Sequence, residues 1–219
     1  MPSNSNPTPR TRVVREPQRA VCDRDAVNHI LDEALVCHVG FAADGQPFVI
    51  PMSYGRDGDA LYIHGSVASR MLRNLDEGVP VCITVTLVDG LVLARSVFNH
   101  SMNYRSVVIL GTATLVDDPA EKLAALRAIS EHLLPNRWDD SRPPSEKELK
   151  ATSVLRLPIN EFSAKVRVGP PVDDVEDYEF RTWAGVIPLE MNSGAPIPDD
   201  RCQQEVPAYL KSYSRKKKT

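Results

Sequence analysis

Two stretches of this sequence concentrate side chains able to do chemistry. The first, Leu61-Tyr62-Ile63-His64-Gly65-Ser66-Val67-Ala68-Ser69-Arg70-Met71, reads as a strand ending at His64, a flexible Gly65, and a helix opening near Ser66. Free backbone N–H groups at a helix start, the hydroxyls of Ser66 and Ser69, and Arg70 together make a local anion site. The planar fork of Arg70 matches a phosphate in shape as well as charge. The same residues also suit an ordinary N-cap followed by a solvent-facing arginine, and spacing alone leaves both readings open. The second stretch, Ala94 to Ser106, joins two apolar strands yet holds Arg95, Phe98, Asn99, His100, Asn103, Tyr104 and Arg105. A hairpin loop does not need that density of hydrogen-bonding groups, and function concentrates in such connections. A surface link with a few stacked side chains is the alternative.

The elements that must position these residues are mostly strands. Asp23 opens a short amphipathic helix over 25–35, with Val27, Ile30, Leu31 and Leu35 at helical spacing. Leu35–Phe41 and Phe48–Tyr54 flank an Asp44-Gly45 turn, a strong hairpin signal. Asp57-Gly58 leads into Ala60–His64, and Asp89-Gly90 is expected to turn Val81–Val88 into Leu91–Ser96. Three such hairpins within sixty residues argue for an antiparallel meander or barrel rather than βαβ units. Met71, Leu72 and Leu75 form the buried stripe of a helix over 66–77. Tyr104–Val116 reads as a long strand. Asp117 and Asp118 before Pro119 begin a helix running to Leu134, with Leu123, Leu126, Ile129 and Leu133 inward. Ser145 with Glu148 matches a capping box, and Ser153–Val168 returns to strand. After Gly169-Pro170-Pro171 the chain turns acidic and proline-rich and is expected to wrap the surface. Its Asp173, Asp174, Glu176 and Asp177 form a solvated loop or a lid over the pocket.

Composition narrows the function classes. The 219 residues are 42% hydrophobic and 25% charged, enough for one domain with a real core. A net charge of −3 gives no general attraction for nucleic acid or an anionic membrane. Basic residues gather at the ends, in Arg10, Arg12, Arg15 and Arg19 and in Arg215, Lys216, Lys217 and Lys218, and both ends read as solvated tails. No apolar run approaches the roughly 18 residues a bilayer span needs. Cys22, Cys37, Cys82 and Cys202 are scattered without a CxxC pair, which suits a reducing cytoplasm and disfavours a zinc site. His29 and His132 fall on helices and are expected at the surface.

Cys37-His38-Val39-Gly40-Phe41, Leu61–Met71 and the long Leu91–Val108 stretch resemble the flavin mononucleotide (FMN)-binding split-barrel superfamily of pyridoxamine 5′-phosphate oxidase, closest to its nitroimidazole-resistance-like branch. The likeness runs from about Arg15 to Pro188. It implies a mainly β fold, a six-stranded antiparallel Greek-key split β-barrel with flanking helices, occupying residues 21–190 between a disordered tail (1–20) and a C-terminal extension (191–219). It also implies a homodimer with FMN at the subunit interface and a small-molecule substrate. Carried over residue by residue, Ser66, Ser69 and Arg70 hold the FMN phosphate and His64 sits beside the flavin as the catalytic candidate, ahead of His38. Pro51, Met52 and Ser53 lie along the isoalloxazine ring. Tyr104, Arg105 and Ser106 line the same pocket or complete it from the partner chain, and Lys165 and Arg167 reach the flavin edge. No GxGxxG fingerprint is needed, because a split barrel grips a mononucleotide without a Rossmann unit.

The resemblance implies an FMN-dependent oxidoreductase acting on a small, nitro-aromatic kind of molecule. A non-catalytic flavin- or haem-binding module, with His64 or His38 as axial ligand, is the second expectation. Pyridoxamine phosphate oxidation ranks last. The arginine- and tryptophan-bearing terminal segment of those oxidases is replaced here by Lys211-Ser212-Tyr213-Ser214-Arg215 and lysines.

Overall fold

The computed structural model describes residues 8–214. Residues 1–7 and the basic run 215–218 lie outside the described residues. The chain begins with β1 (Ala20–Val21) and α1 (Arg24–Glu33), whose cap is Asp23, its carboxylate accepting the Ala26 N–H at 2.9 Å. Val27, Ile30 and Leu31 bury the expected stripe. The hairpin β2 (Val36–Ala43) and β3 (Gln46–Ser53) turns through Asp44 (φ 52°) and Gly45 (φ 77°). Two successive left-handed residues give the hairpin turn whose twist matches the flanking strands. β4 (Gly55–Asp57) and β5 (Ala60–Ser66) follow, then α2 (Arg70–Asp76).

The third Asp-Gly pair does not make a turn. Pro80–Leu93 is one continuous strand, β6, and Asp89 is the extra residue of a β-bulge between Val88 and Gly90. The cause is a distant partner. Arg105, on β7 (Ser101–Thr112), donates to both oxygens of Asp89 at 2.8 and 2.6 Å and also grips Glu33 of α1. A bulge re-aims one side chain without ending the strand.

β8 (Thr114–Leu115) leads to α3 (Pro119–Leu133), capped by Asp118, and α4 (Glu146–Ala151) carries the expected capping box of Ser145 and Glu148. Hydrogen bonds from Arg142 and Ser145 hold the Glu148 carboxyl down to about 2. The single strand expected over 153–168 is two, β9 (Thr152–Pro158) and β10 (Glu161–Arg167), and they join different sheets. β11 (Gly185–Pro188) and α5 (Ala208–Lys211) complete the described elements.

Among the described residues the strands form a seven-stranded sheet, ordered β1-β10-β7-β6-β2-β3 with β11 on β6, and a four-stranded sheet, β4-β5-β9-β8, every pairing antiparallel. The two do not close into one hydrogen-bonded cylinder, as a split barrel requires. The fold is therefore mainly β with flanking helices. Its core lies between the sheets, where Val39, Ile83, Val85, Val107 and Ile109 meet Leu61, Ile63, Leu155 and α1. β5 is covered on both faces: Leu61 and Ile63 enter this core, Ala60 and Tyr62 a smaller one under α3 with Ala125 and Ile129. Each such apolar side chain contributes about 1.5–3 kcal/mol.

Helix α3 approaches closely at Gly55, where a Cβ would stand 2.6 Å from the Ile129 nitrogen. Ala125 and Ile129 are buried there and Leu126 and Leu133 pack partly buried beside them, whereas Leu123, also expected inside, is 41% exposed. His132 is not a surface residue either. Its Nε2 lies 2.7 Å from the Ala34 carbonyl, and its ring packs 4.6 Å from that of Tyr54.

Residues 8–20, read from the sequence as tail, lie along β10. Thr8 donates to Glu161 at 2.5 Å, Arg10 pairs with the same carboxylate, and β1 adds to the sheet edge. The C-terminal segment does wrap the surface. Asp173 is its one buried residue among those described. β11 extends the β6 side of the sheet, and Tyr209 and Tyr213 tie the end to Asp140 and the Leu133 carbonyl. No helix among the described residues is long and apolar enough to cross a membrane.

Candidate functional site

The strand-to-helix passage β5–α2 is held by short-range bonds. Ser66 still belongs to β5, pairing with Thr152, so the helix cap is Ser69 and not Ser66. The Ser66 carbonyl accepts the Ser69 N–H at 2.9 Å, its Oγ accepts the Ala68 N–H at 3.2 Å, and the Ser69 Oγ accepts from Leu72 at 3.5 Å. Arg70 emerges exposed at the first helical position, its guanidinium carbon 5.4 Å from the centroid of the Phe48 ring. This contact places the start of α2 against β3, the outer strand of the large sheet. Pro51 and Ser53 follow on β3 with Met52 between them packed toward the core. His64, half-buried on the face of β5 that carries Tyr62, has its Nδ1 buried without a hydrogen-bond partner, and burial lowers its pKa. The structure thus brings Ser66, Ser69 and Arg70 together beside Phe48 at the edge of β3, with His64 on the strand leading into them, while Pro51 and Ser53 lie on the opposite face of β3 from Phe48.

Tyr104, Ser106, Lys165 and Arg167 form a second group. They share the outer face of the large sheet, register-paired as Tyr104 with Arg167 and Ser106 with Lys165. β10 and β3 stand four strand spacings apart, about 19 Å. Within one chain the two groups do not meet. Arg105 faces the other way. All of its bonds go to Glu33 and Asp89, which raise its pKa, so it is not available to a ligand as the sequence reading had it.

Tyr104, Lys165 and Arg167 of the second group border a cleft of about 610 Å³ whose other walls include Arg15, Arg19, Phe98 and His100; Ser106 does not reach it. His100 and the Ala94–Ser106 connection were visible in the sequence. Arg15 and Arg19 were not, because arginines in a Pro- and Asn-rich lead-in read as solvated. The cleft's floor is locked by Asn103, whose Nδ2 donates to the Gly169 carbonyl at 3.1 Å and whose Oδ1 accepts from Arg167 at 2.5 Å. Asp173 fastens the following strap. Its fully buried carboxylate accepts the N–H of Arg95 at 2.8 Å and of Ser96 at 3.2 Å, and the Arg95 guanidinium at 3.1 Å. Burial opposes its ionisation, but these donors prevail and its pKa falls.

The outer face of the large sheet is unusually apolar. Val36, Val49, Val88, Leu91, Met102 and Ile187 are all exposed, and the register puts them on that side with His38.

Two open antiparallel sheets packed on one core, with flanking helices, define a split barrel. Comparison with known proteins gives the family. The pyridoxamine 5′-phosphate oxidase family profile matches residues 23–166, and the chain belongs to that family. Among solved structures it is similar to the flavocytochrome Anf3 from Azotobacter vinelandii, with 44% identity and a TM-score of 0.89 over 94% of this chain and 97% of that one. It is also similar to the FAD and heme binding protein from Mycobacterium smegmatis, 36% identical over 88% of this chain and 95% of that one, TM-score 0.84. A putative 5-nitroimidazole antibiotic resistance protein from Bacteroides thetaiotaomicron is 28% identical over 67% and 86%, TM-score 0.56. A search of curated proteins found no match.

Proposed function

We propose that this chain is a flavin- and haem-binding redox protein, of the flavocytochrome kind, that passes electrons to a small acceptor. The observation that carries the reading is 44% identity across 94% of the chain to a protein named a flavocytochrome, together with the basic corner at Arg70. When bound, the flavin supplies one- and two-electron chemistry and the haem one-electron chemistry.

The chain's own residues fit a flavin. Arg70, Ser69 and Ser66 bind the phosphate next to the ribityl chain, while Pro51, Met52 and Ser53 border the ring. That half of the cofactor is common to FMN and FAD. Likeness to a protein named for FAD and heme binding favours FAD over the FMN that the family resemblance implied. His64, kept neutral by burial and left with an orphaned nitrogen, is the group placed to hold a proton or to serve as a haem ligand, with exposed His38 the second candidate.

The apolar outer sheet face supports a homodimer. Exposed apolar area of this kind marks an interface. Pairing two copies across it would bring Tyr104, Ser106, Lys165 and Arg167 of one chain toward the β3–α2 corner of the other, completing a site that one chain leaves divided.

Anaerobic reduction of the purified protein, followed by absorption, tests the proposal. Bleaching of a flavin band together with a shift of a haem Soret band is expected. A protein that stays colourless after incubation with FMN, FAD and haem overturns it.

A further inference from the structure

Glu16 holds a backbone conformation that few side chains adopt. It is left-handed, with φ 58° and ψ 56°, and Pro17 follows it. A Cβ resists that region, and a following proline favours extended backbone instead, so the conformation persists only where neighbouring contacts impose it. Those contacts lie on either side. Upstream, Arg10 pairs with the Glu161 carboxylate of β10 and Thr8 donates to it at 2.5 Å, and the two donors hold its pKa down. At the bend itself, Lys165 of β10 donates to the Arg15 carbonyl at 3.1 Å, and Glu16 pairs with Arg19 at 3.2 Å.

Between these anchors residues 8–15 are thinly packed. Thr11 is their one buried member and Val14 is 80% exposed. A gap of about 20 Å³, bounded by Thr11, Val13, Val21 and Phe162, lies between this arm and the sheet edge. Exposed ion pairs and single hydrogen bonds contribute little, so the arm can lift without disturbing the core. Its root matters more than its tip, because Arg15 and Glu16 stand in the wall of the cleft beside β10. From the strained bend, the latch at Glu161 and this wall we infer that residues 8–16 are a gate, an arm that swings about Glu16 to admit a ligand to the cleft and relatches on Glu161 to retain it. Opening lets Glu16 relax and closing restores the bonds of Thr8 and Arg10, which keeps the two states close in free energy. The inference rests on the dimer and the flavin proposed above. There the cleft lies beside the flavin gripped by Arg70 of the second copy, so the arm of each chain controls exchange of the flavin bound chiefly by the other.

The test uses the full chain as wild type, Glu161→Ala and Arg10→Ala. Trypsin cleavage after Arg12, an exposed arm residue present in all three, is followed by intact mass on cofactor-free protein. Its rate follows the population of the open arm. Cleavage about tenfold faster is expected in Glu161→Ala, which loses both latch bonds, and about threefold faster in Arg10→Ala, which keeps that of Thr8. FMN association and dissociation are then read by stopped-flow fluorescence. A gate predicts that both rates rise together in Glu161→Ala, by about tenfold, with much less change in affinity; a residue that only shapes the site would raise dissociation alone. Bound FMN should also slow wild-type cleavage after Arg12. Equal cleavage of the three proteins, or faster cleavage with unchanged FMN rates, overturns the gate and leaves the proposed function standing. A wild type that takes up no flavin overturns both. The Arg10 side chain is 63% exposed, so Arg10→Ala is expected to melt like the wild type and to read the latch alone.

Discussion

The guanidinium of Arg70 lies 5.4 Å over the ring of Phe48, so the first residue of α2 is fastened to the outer strand of the large sheet. An exposed contact of this type contributes about 0.5–1 kcal/mol, too little to be the reason for the arginine. Its effect is to hold a fixed charge beside Ser66 and Ser69 at the edge of the large sheet.

Arg70→Ala is therefore expected to weaken flavin binding by about tenfold or more while shifting stability by less than about 1 kcal/mol. Fluorescence titration with FMN, set beside thermal melting, checks it. Unchanged affinity would remove Arg70 from the site.

Arg105→Ala is expected to behave in the opposite way. It leaves Glu33 and Asp89 facing each other without their shared cation, and stability should fall by about 2–4 kcal/mol. Flavin affinity measured below the melting transition should stay as in the wild type. Urea unfolding and flavin titration of one preparation separate the two effects.

Gly55→Ala tests the packing of α3 on the small sheet. The added methyl meets the Ile129 nitrogen at 2.6 Å and the Ala128 carbonyl carbon at 2.7 Å, both backbone atoms that cannot swing aside. A loss of about 1–3 kcal/mol is expected in a denaturant titration. A neutral result would mean that helix and sheet sit further apart than described.

His64 predicts a pH dependence. Burial lowers its pKa from the usual 6.5. As pH falls below that value the unfolded chain takes up a proton that the folded chain refuses, so stability drops until the folded value is reached and is flat beneath it. His64→Gln should remove this contribution as pH falls below the usual 6.5. Urea midpoints of the cofactor-free protein across that range show it, and a wild-type slope retained in the variant would assign the titration elsewhere.

Asp173→Asn probes the strap. The variant keeps the shape but loses the charge that draws in the Arg95 guanidinium. Residues 170–188 should exchange amide hydrogens faster while β2 and β7 keep their protection. In the wild type the charged form carries the stabilisation, because the folded pKa is the lower one. The latch should therefore hold above the usual carboxylate value near 3.8 and loosen as pH falls through the folded value.

What the sequence made legible was local. Asp44-Gly45 dictates a hairpin because both residues accept left-handed backbone, and Ser145 with Glu148 forms its capping box within four residues. Distant partners escaped the same reading. Asp89-Gly90 has the composition of a turn, but Arg105 and Glu33, far away in the chain, hold Asp89 in a bulged strand. Ser66 and Ser69 are equally good caps by type, and only the pairing of Ser66 with Thr152 assigns the cap to Ser69. Arg15 and Arg19 read as solvated by composition, but residues 8–20 lie on β10. The division of the candidate residues into two groups depends on strand order, which no local spacing encodes.

The central claim, a bound flavin and haem, is tested most directly on protein purified from a haem-replete host without added cofactor. Its absorption spectrum should show flavin and Soret bands together, and mass analysis after denaturation should release FAD and haem. A colourless protein that releases neither, and takes up neither when both are supplied, would contradict the account.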